Sequence, residues 1–273
     1  MLRLWRVLLE SSDAPWRRAR CALIMSTDPE LTFPAPSFPQ NPRLNAPIAP
    51  WWHTWIFIAI VIGLSVYQGR PSVVARATQL PSRIPIYIGT LVYELVLFGY
   101  AWLGLRLRGV RLREVIGGRW DRLADVLIDV ATAILFTGVV WVALVILSLL
   151  LHFSGVEAAK PLLPQSLTEL GAFVTLSVLA GFCEEFVFRG YFQRQFLAMT
   201  NTSWLAVALQ AVIFGAAHLY QGWRGVVTIT VYGALFGILA VMRKSLRPGM
   251  IQHAGQDALS GIGGYFLTKY RVI

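Results

Sequence analysis

The sequence predicts an all-α fold, a polytopic transmembrane helix bundle of about seven spans. Three observations predict it. Hydrophobic residues make up 56% of the 273 residues and charged residues only 14%, with a mean hydropathy of +0.60, a balance that belongs to multispanning membrane proteins rather than soluble domains. From Trp51 onward, apolar runs recur at the ~20 residues that a bilayer crossing requires. The positive charges sit between those runs, 17 of the 24 Lys and Arg in the first fifty residues and in the segments 106–122, 189–202 and 243–248, all on one side. That bias places the N-terminus in the cytoplasm.

The first element is not a span. Eight of the fourteen prolines lie between Pro15 and Pro50, so residues 1–50 are expected to form a Pro-rich, largely irregular tail. Met1 to Glu10 is basic and apolar, but Arg3 and Arg6 interrupt a run already too short for a signal peptide. Met25, opening "MSTDPELTF", is an alternative start. Spans near 51–68, 84–105 and 123–151 follow, as the N-terminal transmembrane helices of residues 51–160. Trp51, Trp52 and Trp55 anchor the first at an interface. Glu94, in "LVYELVLF", is a lone acid in the second, and an arginine from another helix is its expected partner. Asp125 and Asp129 occupy the first turns of the third, where the helix dipole favours acids. Arg106, Arg108, Arg111 and Arg113 form a cytoplasmic loop, and His53 and His152, at span ends, are read as interfacial.

Spans near 167–199, 203–220, 225–242 and 249–267 complete the bundle in residues 161–273. Gly233 and Gly237, four apart in "YGALFG", indicate close helix packing. Two cysteines, Cys21 and Cys183, cannot build a disulfide framework and are expected as free thiols. The formal charge of +10 has no soluble basic domain to sit on, which excludes a nucleic-acid partner and points to anionic lipid.

Within the apolar stretch "LAGFCEEFVFRGYFQRQF" stand Glu184 and Glu185. A charge inside a span costs at least ~2.5 kcal/mol and persists where it faces the bundle interior and has a task. Glu185 and Arg189 are four apart, glutamate first, the favourable order for an intrahelical ion pair. Glu184 points about 100° away and is left as the free carboxylate. A turn near Asn201 separates this helix from the next; Glu184 lies 17 residues before it and His218, in "FGAAHLY", 17 after. In an antiparallel hairpin the two reach the same depth. His253 and Asp257, in "MIQHAGQDAL", share one helix face. A helix-end salt bridge, a packed histidine and a snorkelling pair would explain each segment alone. Together they form the inventory of a water-activating hydrolase.

E-E-x-x-x-R (Glu184, Glu185, Arg189), F-x-x-x-H (Phe214, His218) and H-x-x-x-D (His253, Asp257), in this order and each in an apolar helix, resemble the three motifs of the CPBP family. These are the type II CAAX prenyl proteases and their bacteriocin-processing and abortive-infection relatives, intramembrane endopeptidases. The resemblance implies that Glu184 activates the attacking water with help from His218. It implies that His253 and Asp257 bind the scissile carbonyl or its oxyanion, and that Glu185 and Arg189 orient the helix. Asp257 is within the family's pattern of asparagine or aspartate, although an ionised aspartate only accepts hydrogen bonds where asparagine donates. Glu184, His218 and His253 would suffice as zinc ligands with one position open for water. A metal-free glutamate mechanism uses the same residues. The implied partners are a membrane-associated protein or peptide substrate and the bilayer, in the inner membrane of a bacterial cell.

No H-E-x-x-H, G-x-S-x-G or G-x-G-D segment occurs, so the other intramembrane protease chemistries lack their residues. The alternative from another class is a transporter or receptor whose intramembrane acids bind ions or protons. It predicts acids spread along a pathway; an enzyme predicts convergence at one depth.

Overall fold

The structure, a computed structural model, describes residues 46–153 and 160–270. The tail expectation up to residue 45, with Cys21 and the alternative start at Met25, lies outside the described residues. Among those described, every regular element is helical. The first half contains α1 (Trp51–Gln68), α2 (Pro71–Thr78), α3 (Ile84–Leu107), α4 (Leu112–Ile116) and α5 (Leu123–Leu151). The second half contains α6 (Leu167–Glu184), a π-helical segment (Glu185–Phe192), α7 (Gln193–Thr200), α8 (Ser203–Ala216), α9 (Gly222–Arg243) and α10 (Arg247–Lys269).

Local chemistry sets these boundaries. Ser166 caps α6 by accepting the Glu169 backbone N–H, and prolines in the first turns of α3 and α10 occupy positions whose N–H has no helical partner. Asn201 and Lys244, both at φ 52°, end α7 and α9 in the left-handed region, which frees the chain to reverse.

Among the described residues five stretches are long and apolar enough to cross a membrane: α1, α3, α5, the continuous Leu167–Thr200 unit of 34 residues, and Leu219–Arg243. The protein is therefore integral to a membrane. The other two expected spans differ in kind. With 14 residues, α8 is about 21 Å long, short of the ~30 Å hydrocarbon core. α10 has the length, at 23 residues, but carries Gln252, His253, Gln256 and Asp257 along it. α5 is the most lipid-like helix: only 6% of its most apolar window is buried.

The Leu167–Thr200 unit runs through the centre, and all eight residues of its π-helical segment are buried. Widening a helix to i→i+5 hydrogen bonding is rare and recurs at functional sites. Two antiparallel neighbours pack on it. On one side the α9–α10 turn meets Gly190, where an added Cβ would lie 3.1 Å from Leu246 Cδ1. A Cβ at Gly249 would lie 3.1 Å from Glu185 Oε2, and one at Gly181 2.6 Å from the Ala254 backbone N. The register between α10 and α6 thus brings His253 level with the glutamates. On the other side Phe188 and Phe214, each thirteen residues from Asn201, face each other with ring centroids 4.7 Å apart. The chain thus reverses about Asn201 as expected, with Phe188 and Phe214 level with each other. Because α10 begins at the level of Gly190, α7 extends past the α9–α10 turn, and this overhang is what lets His253 share a depth with Glu184.

Gly233 and Gly237 do lie at a tight crossing: Cβ atoms there would approach Phe214 Cδ1 to 2.9 Å and Gln210 Nε2 to 2.6 Å. Asp129 does more than face a helix dipole. It is 2% exposed and accepts from Trp120 Nε1 at 2.8 Å while pairing with Arg243 at 3.2 Å and Arg247 at 3.0 Å, tying α5 to the α9–α10 turn. His53 corrects the interfacial expectation. Its side chain is fully buried, with Nδ1 2.7 Å from Tyr191 Oη, because α1 packs directly on the π-helical segment and the missing side chain of Gly104 makes room for the imidazole.

Candidate active site

Glu185 and Arg189 form the ion pair that their spacing predicted. Arg189 Nη1 lies 2.8 Å from Glu185 Oε1, and both side chains are at most 1% exposed. The guanidinium lies over two aromatic rings, 4.3 Å from the Phe214 ring centroid and 5.1 Å from that of Phe236, and Nη2 donates to the Gly233 carbonyl at 3.3 Å. Cation–π contact with two rings suits a planar, weakly hydrated cation in an apolar interior. A lysine would keep the charge and lose the stacking.

His253 bridges the two glutamates. Its Nδ1 is 3.1 Å from Glu185 Oε1, and since a carboxylate in an ion pair only accepts, Nδ1 carries the hydrogen. Nε2 then faces two further carboxylates, 3.7 Å from Glu184 Oε2 and 3.7 Å from Asp257 Oδ2. Glu184 Oε2 is buried without a hydrogen-bond partner. The acid that the sequence leaves free is thus also the one with an unused oxygen beside an imidazole nitrogen.

His218 stands at the end of α8. Its Nδ1 lies 2.9 Å from the Phe214 carbonyl oxygen, an acceptor only, so this nitrogen donates and Nε2 is left free. Phe214 separates the two imidazoles, with ring centroids 4.9 Å from His218 and 6.5 Å from His253. Among the described residues His218 forms no ion pair; the imidazole at Glu184 is that of His253. No group of three or more His, Cys, Asp or Glu side chains among the described residues is arranged to hold a metal ion. Glu184, His218 and His253 as placed do not form a three-ligand set, and no step below runs through a metal.

Two residues at this centre were not assigned to it from the sequence. Tyr232 is buried, its ring 5.7 Å from that of His253, and its hydroxyl has no hydrogen-bond partner. Nothing marks it in the sequence, where it is one aromatic among many in an apolar helix. Glu94 was visible as a lone acid, but among the described residues no arginine pairs with it. α3 packs on α6, and that packing turns Glu94 toward Glu184 instead, close enough for a hydrogen bond between the side chains.

The fold and this centre define a class: an integral membrane, all-helical protein with a buried cluster of acids and imidazoles inside its bundle. Residues 165–259 match the family model described as Type II CAAX prenyl endopeptidase Rce1-like, in agreement with the resemblance carried by the three motifs. The match supports an intramembrane endopeptidase of the CAAX type. No curated protein and no solved structure matches the chain.

Proposed function

We propose that this protein hydrolyses a peptide bond of a membrane-associated protein or peptide, with Glu184 as the general base and no metal in the step. The observation that carries the reading is the partnerless Glu184 Oε2 set 3.7 Å from His253 Nε2. A water touching both atoms is polarised where the carboxylate can take its proton. The water oxygen then bonds to the scissile carbonyl carbon as its proton passes to Glu184. The charge that develops on the carbonyl oxygen is met by the Tyr232 hydroxyl and by Nε2 of His253, which in this scheme is an imidazolium with a hydrogen on each ring nitrogen, the form that its three carboxylate neighbours Glu184, Glu185 and Asp257 favour. The C–N bond breaks as Glu184 passes the proton to the leaving amine nitrogen, which returns the carboxylate to its starting form. His218, its Nδ1 hydrogen committed to a backbone carbonyl, assists through Nε2 by orienting the water. Glu185 and Arg189 hold His253 in place. The charge bias of the loops supports an orientation with the N-terminus in the cytoplasm.

Tyr232→Phe keeps the ring against His253 and removes only the hydroxyl. Turnover is expected to fall about 10²-fold with KM unchanged, the loss typical of one oxyanion donor. Unchanged kcat would remove Tyr232 from the step.

The proposal is tested with purified protein in lipid nanodiscs, offered labelled membrane peptides with and without a chelator. Cleavage that survives chelation and is lost in His218→Ala supports the scheme. Loss on chelation, restored by zinc, replaces it with a metal-dependent one. If no peptide is cut and the acids instead support ion or proton flux, the transporter reading takes over.

A further inference from the structure

Among the buried acids outside the scheme, Asp129 is paired with arginines and Glu169 accepts backbone and hydroxyl hydrogen bonds, whereas Glu94 has neither kind of partner. Glu94 lies near the middle of α3, outside the matched segment of residues 165–259. It is 4% exposed, and its Oε2 is buried without a partner. Among the described residues it forms no ion pair with Lys, Arg or His. Its nearest charged neighbour is Glu184, on the helix α6 against which α3 packs, close enough for the two carboxyl groups to interact.

Other groups close the surroundings. Cys183 on α6, Tyr93 on α3 and Tyr220 in the turn after His218 all interact electrostatically with Glu94. His253 and Asp257 of α10 stand on the far side of Glu184. Of these, His253 alone can carry positive charge, and its Nδ1 is already engaged by Glu185.

Two ionised carboxylates cannot hydrogen-bond, since each only accepts. Buried at contact range with no cation between them, they do not both ionise; such a pair shares one proton. We propose that Glu94 holds that proton and donates it as a hydrogen bond to ionised Glu184, making Glu94 a positioning residue for the general base. A donated hydrogen bond favours the charged form of its acceptor, so Glu184 stays a competent base in apolar surroundings and its carboxyl is fixed with the other oxygen toward His253. The Glu94 proton remains on Glu94 throughout. The proton that moves is the water's, to Glu184 and on to the leaving amine.

This proposal rests on Glu184 being the base, and its test separates the two. The full chain in nanodiscs is compared with Glu94→Gln and Glu94→Leu for kcat, KM, thermal unfolding and the infrared carbonyl stretch of a protonated carboxylic acid. Glutamine retains a donor and is expected to keep turnover within about threefold, the scale of one net hydrogen bond. Leucine removes the donor: kcat is expected to fall about 10²-fold at constant KM. Glu94→Leu should unfold no lower than wild type, since an apolar side chain replaces a buried carboxyl; a merely structural role predicts the reverse. The protonated-carboxyl band of the wild type should vanish in both variants.

Wild-type turnover in Glu94→Leu, inactivity of Glu94→Gln equal to that of Glu94→Leu, or a wild type without the band each overturn the proposal. A wild type that shows the band, loses it in Glu94→Gln, and cuts no peptide supports the shared proton while sinking the protease reading.

Discussion

Glu184→Gln is expected to abolish peptide cleavage, lowering kcat by about 10³ to 10⁴-fold while KM stays near the wild-type value. Glutamine has the shape of glutamate but its amide oxygen takes no proton from water. The fold has no reason to suffer, because Glu184 Oε2 has no hydrogen-bond partner to lose and one buried charge is removed. Unfolding should therefore occur at the wild-type temperature or above it. Glu184→Asp makes the sharper comparison. It keeps the carboxylate and withdraws it by one methylene, and a misplacement of that order costs about 10²-fold. The series Glu, Asp, Gln should rank in that order in kcat measured on one membrane peptide in one lipid. Turnover by Glu184→Gln within tenfold of wild type would remove Glu184 from the chemistry.

Arg189→Leu has the largest expected effect on stability. The guanidinium pairs with Glu185 at 2.8 Å with neither side chain more than 1% exposed. Its loss leaves the buried Glu185 carboxylate with the His253 Nδ1 hydrogen bond but without its arginine, and breaking a buried pair in this way costs about 3–5 kcal/mol. The lost contact with the Gly233 carbonyl adds little, because Gln210 Nε2 also donates there at 2.9 Å. Adding Glu185→Gln to Arg189→Leu should recover much of the stability, since no uncompensated charge then remains. It should not recover turnover, because His253 Nδ1 no longer has a carboxylate to fix it. Chemical unfolding in detergent reads the first effect and peptide cleavage the second. An Arg189→Leu protein as stable as wild type would mean that Glu185 finds another partner or is uncharged.

Much of this centre was legible because helical spacing turns sequence separation into direction. Glu185 and Arg189 had to meet, being four apart on one helix. The turn at Asn201 was legible too, and it sets Phe188 level with Phe214, although the Glu184–His218 pairing expected from it is not among the contacts formed. The reading failed where direction depends on which helices pack together. Glu94 was visible as an intramembrane acid, yet its partner is another acid on a helix 90 residues away in sequence, which no periodicity supplies. His53 looked interfacial from its place near a span end, but α1 packs on the most buried segment of the chain. The π-helical stretch Glu185–Phe192 has no sequence signature in periodicity, since its residues remain compatible with an ordinary α-helix.

By itself the sequence determined the solvent, the helical class, the positions of the first four spans within a few residues, and which helices carry acids and imidazoles. Hydropathy and the 3.6-residue period act over neighbouring residues, and that is all those properties require. The structure decided that α8 is too short to span and that α7 extends beyond the start of α10. It also decided that His253, rather than His218, lies beside Glu184, and that Glu94 joins it. Those relations come from close backbone approach at Gly181, Gly190 and Gly249 and from the packing of α3 on α6. In an apolar bundle, where every helix face suits lipid or protein equally, it is such steric fit that selects neighbours.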